Sequence, residues 1–124
     1  MTELATLEVE AGDTTIARLA GELDVSNSGF LGDRILESVS SSTGALVVDL
    51  REATYLDSSA IKLIFDLAEK LSNRRQRLHL LIEKGSFTEE VLETVNVSDV
   101  APVHTELADA LRAVDSDERP PRED

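Results

Sequence analysis

A mixed β-sheet of about four to five strands packed against about four helices, in a single α/β domain, is the fold class this sequence predicts. Three observations carry it. Two β-rich segments near the start are separated only by the turn residues Ala11-Gly12-Asp13 and read as a hairpin. Apolar runs at Ala45–Val48 and Leu78–Ile82 have the nearly uniform character of strands buried on both faces. Segments of helical spacing separate these runs, so the order is β-β-α-β-α-β-α, then a short strand or loop and a last helix, which mixes antiparallel and parallel pairing.

The elements follow in chain order. Leu4–Glu10 sets Ala5, Leu7 and Val9 on one face, and Thr14–Ala20 is alternating enough to pair with it. Gly21-Glu22-Leu23-Asp24 then reads as a turn that ends the second strand. Ser26-Asn27-Ser28 offers caps for a helix from about Gly29 to Val39, with Phe30, Leu31, Ile35, Leu36 and Val39 at helical spacing. Ser40–Gly44 is a polar loop, and Ala45–Val48 is a strand broken at Asp49. Arg51–Leu56 reads as a loop leading to Asp57-Ser58-Ser59, three residues able to cap the helix Ala60–Leu71.

At about 3.6 residues per turn, Ala60, Leu63, Ile64, Leu67, Ala68 and Leu71 form the inner face of that helix. Lys62, Asp66, Glu69, Lys70 and Asn73 form the outer arc, Ile61 and Phe65 lie at the border, and wheel angles do not separate Ser58 from Ser59. Arg74, Arg75 and Arg77 at its end make the chain's basic cluster, which the helix dipole favours. After Leu78–Ile82, Ser86 with Glu89 forms a capping box for a helix through about Val95, and Asn96 stops it. Val97–Val103 reads as either an edge strand or a loop, because Pro102 removes a ladder donor. Thr105 caps a final helix with Leu107, Ala108, Leu111 and Val114 as its stripe. The domain is expected to span 1–114 and Asp115–Asp124 to be a disordered acidic tail.

Composition narrows the function. With 124 residues, 41% of them hydrophobic, the chain suits one globular domain. Its 25 acidic residues against 12 basic give a net charge of −13, which argues against a nucleic-acid surface. The absence of cysteine removes disulfides, thiolate catalysis and Cys-based metal sites. His79, inside a strand, and His104 have no ligand spacing, so neither a metal nor a cofactor is expected. The N-terminus lacks the pattern of a signal peptide and no apolar stretch is long enough to span a bilayer, so a cytoplasmic location without membrane contact is expected.

The chemistry concentrates at Asp57-Ser58-Ser59. Unpaired N–H groups and the helix dipole make a helix start a place for anions, so a serine there stands beside a preformed anion site. The simplest role of Asp57 or Ser58 is that of an N-cap. Nucleophilic catalysis wants an adjacent base and an orienting third group, and neither histidine has a sequence reason to be near. No Gly-rich phosphate cradle is present, so an enzyme is not expected.

Val47-Val48-Asp49-Leu50 followed by Asp57-Ser58-Ser59-Ala60 and an apolar helix resembles the signature of the STAS domain family, of the anti-sigma factor antagonist type. The family pattern has Gly where this chain has Ala60, whose methyl is expected to limit how closely a partner backbone approaches. The Gly21-Glu22-Leu23-Asp24 element is similar to the one STAS domains place near their phosphorylation loop. Asp24 serves there either as turn chemistry or as a partner contact.

The resemblance implies a binding module. It sequesters an anti-sigma factor, often itself a serine kinase, is switched off by phosphorylation of Ser58 (Ser59 as second choice), and is restored by a serine phosphatase. Asp24, Asp57, Ser58, Ser59, Ala60, Ile61 and Lys62 form the implied partner surface. A phosphate there is expected to be received by the free N–H groups of the helix start. The alternative is a scaffold or regulatory subunit of a stress-signalling or transport complex that is never phosphorylated.

Overall fold

The computed structural model describes residues 6–10, 14–41 and 44–118. Their order is β1 (Thr6–Glu10), β2 (Thr15–Leu23), α1 (Ser28–Ser38), β3 (Ala45–Leu56), α2 (Ser58–Asn73), β4 (Arg77–Leu81), α3 (Phe87–Thr94), a 3-10 turn (Val97–Asp99), β5 (Val103–His104) and α4 (Leu107–Glu118). The five strands lie in the order β1-β2-β3-β4-β5, with β1 antiparallel to β2 and every other pair parallel. Expected features at residues 1–5, 11–13, 42–43 and 119–124, including the hairpin turn, lie outside the described residues.

β3 is the spine because every side chain from Ala45 to Leu50 is buried. Leu46, Val48 and Leu50 point into a large core closed by α1, α2 and α3, whereas Ala45 and Val47 pack with Ala110 and Val114 of α4 on the other face. Asp49 shares that second face. Its carboxylate receives Arg51 through Nε at 3.0 Å and an Nη at 2.9 Å, with Arg18 at 3.8 Å, so the buried charge is compensated. The Arg51 guanidinium is held above its usual pKa, chiefly by that hydrogen-bonded pairing.

Two expected boundaries are corrected. Gly21-Glu22-Leu23 is strand, not turn, and Arg51–Leu56 is strand, not loop; they pair with each other through Gly21–Ala53, Glu22–Tyr55 and Leu23–Leu56. At two register shifts, between Arg18–Asp49 and Ala20–Glu52 and between Gly21–Ala53 and Glu22–Tyr55, β3 carries one residue more than β2, and Gly21 on the facing strand stands at φ +91°. A glycine accepts that conformation, and the residues inserted in β3 break its side-chain alternation, leaving Leu50, Ala53 and Leu56 buried three apart, which hid the strand from a period-two reading.

The helices match their patterns closely. The buried residues of α2 are Ala60, Leu63, Ile64, Leu67, Ala68 and Leu71, with Ile61 and Phe65 half-buried at its margins. Ser86 accepts the Glu89 N–H at 3.1 Å, while the Glu89 carboxylate reaches Gly85 N at 2.9 Å, one residue before the cap. Asn96 takes the left-handed conformation after α3. In α4 the inner residues are Ala110 and Val114 flanked by Leu107 and Leu111; Ala108 is exposed, a correction to the expected stripe. Its first turn closes on the Glu106 carbonyl and its helix runs through Glu118, four residues into the stretch expected to be tail. Helical hydrogen bonds need no apolar face, so the helix continues past the exposed Asp115 and Ser116. No helix among the described residues is long and apolar enough to cross a membrane.

Candidate functional site

Asp57 is the N-cap of α2, with an extended backbone at φ −101°, ψ −173°. One carboxylate oxygen accepts the amides of Ser59 at 2.8 Å and Ala60 at 3.1 Å. The other accepts the amide of Val25 at 3.1 Å, and the Asp57 amide donates to the Leu23 carbonyl at 3.2 Å. One side chain thus caps α2 and fastens it to the turn that leaves β2. The amides of Ser59 and Ala60 are therefore taken by Asp57, and the expectation that they stand free to receive a phosphate is corrected.

Asp24 sits in that same turn and is held by it. Its carboxylate accepts the Ser26 amide at 3.0 Å and the Ser26 hydroxyl, and its carbonyl accepts the Ser28 hydroxyl at 2.7 Å. Asn27 occupies the cap position of α1 without capping it. Its side chain instead accepts the Asp24 amide at 3.0 Å and donates to the Glu22 carbonyl at 2.9 Å. The turn chemistry expected of Asp24 is present, and its partly exposed carboxylate lies one residue from the Val25 amide that Asp57 holds.

Burial separates the two serines. Ser58, the first residue of α2, is exposed, and its hydroxyl makes no hydrogen bond among the described residues. Ser59 is half-buried and faces a groove of about 350 Å³ between α1 and α2. At the floor of that groove the helices approach closely: a Cβ on Gly32 would stand 2.4 Å from Cδ1 of Leu63.

Ala60 is wholly buried. Its methyl is packed in the core with Leu63 and Ile64 of the same helix. Ile61 is half-buried. Lys62 is exposed and bonded to Asp66 at 2.6 Å one turn on, which raises its ammonium pKa, with the Asp66 and Glu69 charges adding to the effect.

Two features escaped the sequence reading. His79 and His104 meet with ring nitrogens 3.1 Å apart, on the α4 side of the sheet away from Ser58. The β4–β5 register that joins them begins in a two-residue strand too short to show a pattern. Among the described residues no group of three or more His, Cys, Asp or Glu is placed to hold a metal. Tyr55 and Phe87, both partly exposed, stack with ring centroids 6.1 Å apart. Their signal was their rarity in a chain with 3% aromatic residues, one of them just before the Asp57 cap.

The STAS domain profile matches residues 6–110. Among solved structures, an anti-sigma factor antagonist from Mycobacterium paratuberculosis superposes with a TM-score of 0.81 at 25% identity, covering 93% of this chain and 99% of its own. The anti-sigma factor antagonist SpoIIAA in its unphosphorylated form gives 0.70 at 19% identity, covering 90% of this chain and 97% of its own. The Bacillus cell fate determinant SpoIIAA in its phosphorylated form gives 0.65 at 20% identity, covering 87% and 99%. Comparison by sequence with curated proteins returned no match. With the profile spanning most of the chain and these structures sharing its sheet and helices, the chain belongs to the STAS domain family.

Proposed function

We propose that this protein is an anti-sigma factor antagonist: a binding module that captures an anti-sigma factor, itself a serine kinase, at the start of α2 and releases it when Ser58 is phosphorylated. The observation that carries the reading is the exposed, unbonded Ser58 hydroxyl beside a carboxylate that already accepts the Ser59 and Ala60 amides. A phosphate adds about −1.5 to −2 charge. With the Ser59 and Ala60 amides engaged, that charge projects outward next to Asp57 instead of being absorbed by the helix. A partner packed on this surface then meets two adjacent anions that it must desolvate. The fold itself needs no rearrangement.

Ser59 is the weaker acceptor because it is half-buried at the α1–α2 groove. The same geometry supports binding over catalysis: the two histidines lie across the sheet, and the carboxylate beside Ser58 is committed to backbone amides. A serine phosphatase that removes the phosphate completes the cycle, which on this reading runs in the cytoplasm.

The test is phosphosite mapping of the protein purified from its own cells, combined with identification of what it captures. A single phosphate on Ser58, with a kinase-like partner held only by the unmodified form, is the expected result. Capture of the partner by a chain that is never phosphorylated would replace the switch with a constitutive scaffold.

A further inference from the structure

Of the four aromatic side chains, three phenylalanines and one tyrosine, Tyr55 and Phe87 are 43% and 51% exposed and stack within 7° of parallel. They come from different elements, and the fold holds them together. β4 ends at Leu81, opposite Asp49, so the last part of β3 has no strand beside it on that edge. α3 packs there instead, with the Thr88 hydroxyl 3.3 Å from the Ala53 carbonyl. Phe87, the first residue of α3, is thereby laid against Tyr55.

Carboxylates frame this pair. Glu22 is the register partner of Tyr55 on β2, Glu90 lies exposed in the first turn of α3, and Glu52 is exposed on β3. None of the three is in an ion pair among the described residues. Stacked rings whose faces attract cations, rimmed by uncompensated carboxylates, complement a guanidinium set beside apolar side chains. Tyr55 stands three residues before Ser58 on the same chain segment.

We propose that Tyr55 and Phe87 anchor the partner interface and receive an arginine-bearing apolar segment of the protein that binds at Ser58. This rests on the binding reading given above. The two rings already stack on each other, so seating a side chain on them costs little further freedom. Aromatic residues so placed carry a disproportionate share of binding free energy. The surrounding carboxylates steer the cationic segment and set its orientation.

The experiment uses the captured partner, identified by mass spectrometry and re-expressed pure, in calorimetric titrations against the full chain. Tyr55→Ala and Phe87→Ala should each weaken binding about tenfold or more, with thermal melting curves confirming that both variants fold. A Glu22→Gln, Glu90→Gln double variant should slow association and flatten its salt dependence. Aromatic variants that bind within about twofold of the parent overturn the anchor, whatever Ser58→Asp does. Ser58→Asp measured alongside separates the two ideas: if it alone abolishes binding, the switch stands without the anchor. If only the aromatic variants weaken binding, the anchor stands without the switch.

Discussion

Asp57 has the most consequential side chain in the site because it does two structural jobs with one carboxylate. Its three backbone hydrogen bonds cap α2 and pin the turn at Val25. Asp57→Ala should cost about 1–2 kcal/mol in urea unfolding and speed amide exchange at Val25 relative to the sheet. Ala60 makes a complementary prediction. Its buried methyl and its helix propensity are each worth about 1 kcal/mol. Ala60→Gly should therefore destabilise by roughly 1–2 kcal/mol while leaving partner affinity unchanged, as paired denaturation and titration would show. A gain in affinity from the glycine would show that the methyl obstructs a partner.

Residue-level roles were partly readable before the structure. A cap at Asp57 or Ser58 followed from their place ahead of an apolar-periodic helix, and the structure assigns it to Asp57. What a linear reading lacked was burial: Ser58 and Ser59 both fall at or within the polar side of a wheel, and only the packing of α1 against α2 turns Ser59 inward.

Among the elements, the α2 terminus shows how a sequence can depart from the favoured residue without losing the motif. The Gln76 amide donates to the Leu71 carbonyl at 2.8 Å and the Arg75 amide to Ser72 at 3.0 Å, the paired bonds of a Schellman cap. Its left-handed position, at φ +61°, is Arg75 where glycine is the common choice. Arg75→Gly should stabilise the protein by about 0.5–1 kcal/mol, measured as a rise in the urea midpoint. A fall would show that the arginine side chain contributes more than its backbone strain costs.

Helices were the legible part of this fold. The inner face of α2 was read residue by residue because a helix of 16 residues samples its period several times. Strand ends were not legible. The β2–β3 ladder continues past two shifts that each insert a residue into β3, and such a bulge resets the alternation on which a strand is recognised. β5 is two residues long and owes its place to pairing with β4, which no local pattern encodes. The Tyr55–Phe87 contact stayed hidden for the same reason, since it depends on α3 filling the edge that β4 vacates.

Over the whole molecule, charge and topology act together. Crossovers after β2 and β3 bring the turn at Asp24 and the start of α2 to one end of the sheet, joined by the Asp57–Val25 hydrogen bond. A net charge of −13 makes the protein repel acidic surfaces and draw basic ones. Association with the anti-sigma partner should therefore slow markedly as salt rises from about 0.01 to about 0.15 M, over which the screening length falls from about 30 to about 8 Å. Stopped-flow rates would show it, and rates indifferent to salt would mean the negative field plays no part in recognition.

The central claim is that a phosphate on Ser58 ends binding by adding outward charge, without remodelling the fold. The most direct measurement is the affinity of the purified partner for stoichiometrically Ser58-phosphorylated protein against the unmodified chain, with amide exchange recorded on both forms. The account predicts a loss of about a hundredfold or more, from like-charge contact costing several kcal/mol, with exchange unchanged across the sheet and α2. Equal affinity for the two forms would contradict it.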